Sequence, residues 1–184
     1  MWSHRNVLLS ITFPLFFLLF HPQIYAKLEA NSPLELAKDF CSKRRTSDDR
    51  KFCLQVLTKN PKISSAKDNS ILLKIAVDAA DENAKKTHDY MKTMFESKMI
   101  NQTIKPVLKE CITMYEVVIY ELEAIERDLR FGPYGKAEAR IALAEVKGCQ
   151  KLIETNKICD SSISNRNKIA EDFGELVQDI ANLF

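Results

Sequence analysis

Glycine, histidine and tryptophan are scarce in this chain of 184 residues, and each scarcity excludes something. Only four glycines occur, Gly132, Gly135, Gly148 and Gly174, all in the second half. Together with just six prolines, they leave few turn-formers over a long chain. That composition points to helix rather than sheet. The three histidines are His4, His21 and His88, and the cysteines show no C-x-x-C spacing, so no metal site is expected. No glycine-rich phosphate loop is present. No charge of one sign dominates either. Lys and Arg number 27 against 25 Asp and Glu. A mixed, near-neutral surface argues against a nucleic-acid partner, which demands a basic face.

Long apolar runs are also missing, apart from one. Val7 to Phe20 is interrupted only by Ser10, Thr12 and Pro14. It is too short for a bilayer span, which needs ~20 apolar residues. Arg5 precedes it, His21-Pro22 ends it, and Gln23-Ile24-Tyr25-Ala26 offers a cleavage site. Residues 1–26 therefore read as a signal peptide. The expected product is residues 27–184, long enough for one domain with its own core. Trp2, the sole tryptophan, leaves with the leader, and His88 becomes the last histidine. No membrane association is expected after cleavage, and cysteines on this route oxidise.

Five cysteines are present, an odd number. Cys41 and Cys53 are separated by eleven residues and close a short loop. Cys111, Cys149 and Cys159 follow much later. On spacing alone, Cys111 can pair with either of the last two.

The apolar pattern predicts four long helices. Ile104, Leu108, Cys111, Tyr115, Val118, Leu122, Ile125 and Leu129 recur at alternating steps of four and three, a helical stripe. Thr103 is the expected N-cap, leaving Pro106 in the first turn. The preceding helix, Asn69 to Ser97, carries Leu73, Val77, Ala80, Ala84, Met91 and Phe95 on one face. Ala80 and Ala84 would let a neighbour approach closely. A third helix is expected from about Tyr134 to Glu154, with Ala137, Ile141, Ala144, Cys149 and Ile153 inward. The fourth runs from about Ser164 to Leu183 on Ile169, Phe173, Leu176, Val177 and Ile180. Phe131-Gly132-Pro133 is a stop signal, and polar Thr155 to Ser162 reads as a loop. Short connections make an up-down-up-down four-helix bundle the economical all-α architecture.

Residues 27–62 stand apart from residues 63–184, the bundle. Leu34, Leu36, Ala37 and Phe40 form one short pattern; Phe52, Leu54, Val56 and Leu57 form another. Helices this short are marginal alone in water. A Cys41–Cys53 bridge would clamp them as a hairpin, contributing roughly 3 kcal/mol in the chain-entropy model.

No catalytic constellation emerges. His88 lies mid-helix among Lys85, Lys86, Thr87 and Asp89, and reads as a solvated helix residue. Glu121, Glu123 and Glu126 read as the wet face of an amphipathic helix. Lys43-Arg44-Arg45 reads as a solvated turn. The chain is not expected to be an enzyme, and no cofactor is expected.

Taken in order, these features resemble the plant invertase/pectin methylesterase inhibitor family. The matching residues are Phe52-Cys53 with Leu57 and Asn60-Pro61, then Glu110-Cys111 with Tyr115 and Leu122. Cys149 lies about fifteen residues into the next helix, and Ser164-Asn165 opens the last one. The resemblance implies a disulfide-clamped helical hairpin followed by a four-helix bundle. It implies that Cys111 pairs with Cys149, leaving Cys159 as a free thiol. Departures include Lys151, where many members carry an acidic residue, and Arg140-Ile141-Ala142-Leu143-Ala144, which keeps only an Ala-Leu step.

The resemblance also implies a function: a secreted inhibitor of a cell-wall carbohydrate-active enzyme, acting by occluding the substrate cleft. Pectin methylesterase is the first target, and cell-wall or vacuolar acid invertase the alternative. Either is a protein partner in the apoplast, with the vacuole as a second compartment. A homodimer is a further arrangement the reading allows. Pro133, Tyr134 and Lys136 form a turn similar in chemistry to the Pro-Lys-Phe signature of invertase inhibitors. An aromatic and a cation on a rigid turn make an anchor for a partner's cleft. Asn101-Gln102-Thr103 is an N-glycosylation sequon. The rival from another class is a secreted helical signalling or storage protein. Loops this short argue against the long crossovers of a cytokine bundle.

Overall fold

Helix ends explain most of the layout. The computed structural model describes residues 32–98, 100–130 and 135–184. Among them are six α-helices, one 3₁₀ turn and no strand. Helix α1 is Pro33–Ser42 and α2 is Ser47–Lys59. Thr46 caps α2 through a reciprocal pair: its Oγ1 accepts from the Asp49 N–H, and Asp49 Oδ2 accepts from the Thr46 N–H, both at 3.1 Å. Asn60 ends α2 and caps the 3₁₀ turn Pro61–Ser65. Asp68 caps α3 (Asn69–Glu96), its Oδ1 accepting from Ser70 N–H at 2.9 Å and Ile71 N–H at 3.4 Å.

Helix α4 is Lys105–Asp128. Its N-cap position is Ile104, with no side-chain cap. This corrects the expected Thr103 cap: the chain makes a turn over Asn101–Ile104 instead, closed by the Ile104 N–H on the Asn101 carbonyl at 3.0 Å. Pro106 still falls in the first turn, where its missing N–H costs nothing. Helix α5 is Lys136–Thr155 and α6 is Ser161–Ala181. Asp160 caps α6, accepting from the Ser162 and Ile163 N–H groups at 2.9 and 3.1 Å.

Helices α3 to α6 pack as a four-helix bundle, each beside its chain neighbour and α3 beside α6. Leu73, Val77, Ala80, Ala84 and Met91 of α3 are buried, as are Leu108, Cys111, Tyr115, Val118, Leu122 and Ile125 of α4. Burying one such large apolar side chain contributes about 1.5–3 kcal/mol. Small residues meet at the bundle centre, where Ala80, Ala84, Ala142, Ala170 and Gly174 line a residual cavity too small for a ligand. A Cβ on Gly174 would come within 3.0 Å of Leu143 Cδ1, so glycine sets the spacing of α5 and α6 there.

Two stripes were misread. Ala137, Ile141 and Ala144 of α5 face outward, and Ile141 is 40% exposed. The buried face is instead Ala139, Ala142, Leu143, Val146, Cys149 and Ile153. In α6, Ile169 is exposed, while Ile163, Asn167, Ala170 and Gly174 turn inward with Leu176, Val177 and Ile180. In an alanine-rich helix two rival apolar stripes score alike, and neighbours decide between them.

Cys41 and Cys53 are joined, with their Cα atoms 5.6 Å apart, so α1 and α2 form the clamped hairpin. A second disulfide joins Cys111 of α4 to Cys149 of α5, Cα atoms 5.0 Å apart. Cys159 is unbridged and exposed between α5 and α6. The hairpin and the 3₁₀ turn after it lean on the bundle through the following contacts. Arg44 Nη1 donates to Asp179 Oδ2 at 2.6 Å. The Phe52 ring meets Phe173 edge-on, centroids 4.9 Å apart. Lys62 Nζ donates to Asp78 Oδ2 at 2.7 Å. The basic run is thus not simply a solvated turn: the Arg44 side chain is 6% exposed.

Candidate functional site

Of the three residues expected to form the anchoring turn, Pro133 and Tyr134 lie outside the described residues. Lys136 is exposed at the first position of α5. Gly135 precedes it with φ +115°, a left-handed conformation that side chains rarely adopt. A Cβ there would also fall 2.9 Å from Ile125 Cγ2. Glycine is required twice over, and the start of α5 is pressed against the buried end of α4. Lys136 therefore stands on a fixed backbone. A cation at a helix N-terminus opposes the helix dipole, at a typical cost of about 0.3–1 kcal/mol. Such a local cost is characteristic of positions kept for another purpose.

Around this corner the surface alternates in charge. Glu138 lies in the first turn of α5, where a carboxylate suits the dipole. Glu121 of α4 is half-buried, and burial raises its pKa, with the Glu138 charge adding to the effect. Arg127 sits over the Tyr120 ring, 5.7 Å from its centroid. Tyr120 is 62% exposed, the most exposed large hydrophobic side chain described.

Helical spacing puts Tyr120 on one outer face of α4 with Thr113 and Val117, while Ile141 and Glu145 share an outer face of α5. A shallow groove runs there, lined by Pro106, Lys109, Thr113, Met114, Val117 and Glu145. Tyr120 of α4 and Ile141 of α5 are each exposed apolar side chains on these outer faces, a composition that suits contact with another protein. Sequence reasoning missed it. Tyr120 was legible as an aromatic off the buried stripe, but Ile141 was assigned to the core.

The face where α3 meets α4 has a different character. Lys74 Nζ donates to Glu126 Oε1 at 2.6 Å, and Lys85 Nζ to Glu123 Oε1 at 3.0 Å. His88 lies in the same seam, its Nδ1 3.1 Å from Asp89 Oδ1 and its Nε2 3.9 Å from Glu116 Oε1. Glu123 and Glu126, expected to be merely wet, are cross-helix struts, and His88 is 16% exposed rather than solvated. Hydrogen bonds and partner carboxylates raise the pKa of Lys74 and Lys85. These contacts brace α3 against α4. Among the described residues, no three His, Cys, Asp or Glu side chains cluster so as to hold a metal ion.

A buried polar link crosses the bundle. Tyr115 Oη donates to Asn167 Oδ1 at 3.1 Å. Asn167 Nδ2 donates to the Val146 carbonyl at 3.2 Å and to Gln150 Oε1 at 3.1 Å. Tyr115 and Asn167 are both 0% exposed. Burial pushes the Tyr115 hydroxyl well above its ordinary pKa, so it stays a donor. Ser164 and Asn165, the pair singled out in the sequence, sit half-buried and exposed respectively. The asparagine that enters the core is Asn167.

Clamped hairpin, bridged bundle and length agree with one class of protein. Residues 35–182 match the sequence pattern of the plant invertase/pectin methylesterase inhibitor family, and the chain belongs to that family. No curated sequence is matched significantly. Among solved structures, a mutant form A of a pectin methylesterase inhibitor from Arabidopsis superposes with a TM-score of 0.69 at 21% identity. The match covers 84% of this chain and 98% of that one. A pectin methylesterase inhibitor from Arabidopsis thaliana superposes with a TM-score of 0.59 at 22% identity, covering 81% and 95%. At these identities the likeness establishes the fold.

Proposed function

We propose that this protein is a secreted inhibitor of a pectin methylesterase that acts by sterically covering the substrate cleft. The observation that carries the reading is membership of the inhibitor family over residues 35–182. Two solved structures with this fold are described as pectin methylesterase inhibitors, which favours that target. Rigidity supports the mechanism. A bundle bridged at Cys111–Cys149 and pinned at Tyr115–Asn167 loses little conformational freedom on docking, which is where tight binders gain affinity. The contact surface proposed is the outer face of α4 and α5, with Tyr120 and Ile141 as apolar anchors. Residues 1–26 act as the leader that delivers it to the apoplast, and the protein itself performs no chemistry.

Lys136 favours a second reading, acid invertase. An exposed cation on a fixed backbone at the start of α5 could meet the paired carboxylates that a glycosidase uses. One titration separates the two. Purified residues 27–184 are added to a plant pectin methylesterase and to an acid invertase at mildly acidic to neutral pH. Stoichiometric loss of methylesterase activity is expected. The double change Y134A/K136A is expected to leave it nearly intact, whereas it would cost several kcal/mol of binding to an invertase. No loss of either activity would return the protein to a storage or signalling role.

A further inference from the structure

Asn101 and Thr103 lie in the connection between α3 and α4, and both are exposed. The Asn101 carboxamide is turned into the chain: its Oδ1 accepts the Thr103 N–H at 3.0 Å. The Asn101 carbonyl accepts the Ile104 N–H, so the tripeptide is a turn set outside the helices on either side. Asparagine, threonine at the second place after it, exposure and a secretory leader are what N-linked modification requires.

We infer that Asn101 carries an N-linked glycan, and that this glycan keeps its end of the bundle out of the target's cleft. In the transfer, Nδ2 of Asn101 bonds to the anomeric carbon of a lipid-linked oligosaccharide. The anomeric bond to the lipid pyrophosphate breaks, the pyrophosphate leaves with the electron pair, and Nδ2 loses one proton. Position gives the glycan its consequence. Asn101 precedes α4, and the Lys136 corner follows it. With 24 residues, α4 separates the two by about 36 Å. A large hydrophilic group at Asn101 blocks docking through the α3–α4 and α5–α6 connections. It leaves the opposite end and the distal part of the α4–α5 face open. The first half of the inference rests on the secretory leader proposed above, and the second half on the inhibitory reading as well.

The test uses the full chain expressed in a plant secretory host. Intact mass should show one oligosaccharide, removed by a peptide N-glycosidase and missing from both N101Q and T103A. A bare polypeptide mass from the native sequence overturns the site. Inhibition of the target enzyme should change less than about threefold on glycan removal. The double change D128N/R130T writes a sequon at the opposite end of α4. When glycosylated there, the protein should inhibit at least about tenfold more weakly and recover when the glycan is cleaved. A large gain in inhibition on cleaving the native glycan would overturn the orientation, as would full inhibition by the relocated glycoform. Failure to inhibit with or without the glycan would sink the inhibitory reading and the orientation with it, while the mass measurement still decides the site.

Discussion

The helical hairpin and the four-helix bundle each contain one disulfide, but the bridges do different work. Cys41–Cys53 joins helices of 10 and 13 residues, too short to persist alone. Their buried residues are few: Ala37, Phe40, Leu57 and the cysteines themselves. The bridge is much of what that region has. Cys111–Cys149 joins helices of 24 and 20 residues that already bury long apolar faces against each other. There it limits sliding between elements that would form anyway. A covalent bond thus builds one region and only tightens the other.

The largest test removes the bridges. In the chain-entropy model, C111A/C149A should lose about 4 kcal/mol, because it opens the longer loop. The bundle should still unfold in one transition at lower temperature. C41A/C53A should lose about 3 kcal/mol. Amide exchange should place that loss in residues 33–65 and leave α3–α6 protected. Equal loss of protection in hairpin and bundle would break the comparison.

Next comes the buried polar link. N167A should cost about 2 kcal/mol, since it strands the Tyr115 hydroxyl in the core. Y115F should cost less, because Asn167 keeps its other partners. Denaturant unfolding of both variants checks the order.

Helix caps allow a sharper contrast at smaller cost. D68A, at the start of α3, and T46A, at the start of α2, should each lose about 1 kcal/mol. The first should lower the melting of the whole bundle, and the second should fray the hairpin. The α3 cap also carries a pH response. Asp68 has a lowered pKa, chiefly because the Ser70 hydroxyl donates to its carboxylate. Its contribution is present above the ordinary value of 3.8 and is lost as pH falls through the lowered one. Wild type should therefore lose more stability on acidification than D68A.

The smallest effect is at the seam between the regions. Burial raises the pKa of Asp179, and Arg44 opposes the rise. A raised carboxylate favours folding most below 3.8, and that contribution fades as pH rises through the folded value. R44A removes the opposing charge, so the Asp179 carboxyl resonance should titrate at higher pH. An unchanged midpoint would mean that the Arg44 contact does not bear on this carboxylate.

How far the fold could be read from the sequence follows the same division. Helix α4 was legible residue by residue, because Leu108 to Ile125 is one unbroken stripe with charged flanks. Helix α3 was legible to within a residue at its end. The inward faces of α5 and α6 were not, because Ala137, Ile141 and Ile169 offered a plausible rival stripe. What rejects them is tertiary: Ile153, Val146 and Ala142 fit the space left by α4 and α6. The Arg44–Asp179 contact spans 135 residues of sequence and has no local signature. Lys136 was visible as a candidate, whereas the exposed Tyr120 and Ile141 face depended on knowing which side of each helix is covered.

Asn167 carries one more consequence, for position along the helix axis rather than for energy. A purely apolar α6 could slide past α4 and α5 by a turn and still bury greasy side chains. With Asn167 in place, such a slip would set Ile163 or Glu171 opposite the Tyr115 hydroxyl, one unable to accept its proton and the other a carboxylate in the core. The single amide works as an index mark. It makes one alignment of α6 give the Tyr115 hydroxyl its acceptor, and so fixes where along the bundle Phe173 and Asp179, on which the hairpin docks, must stand.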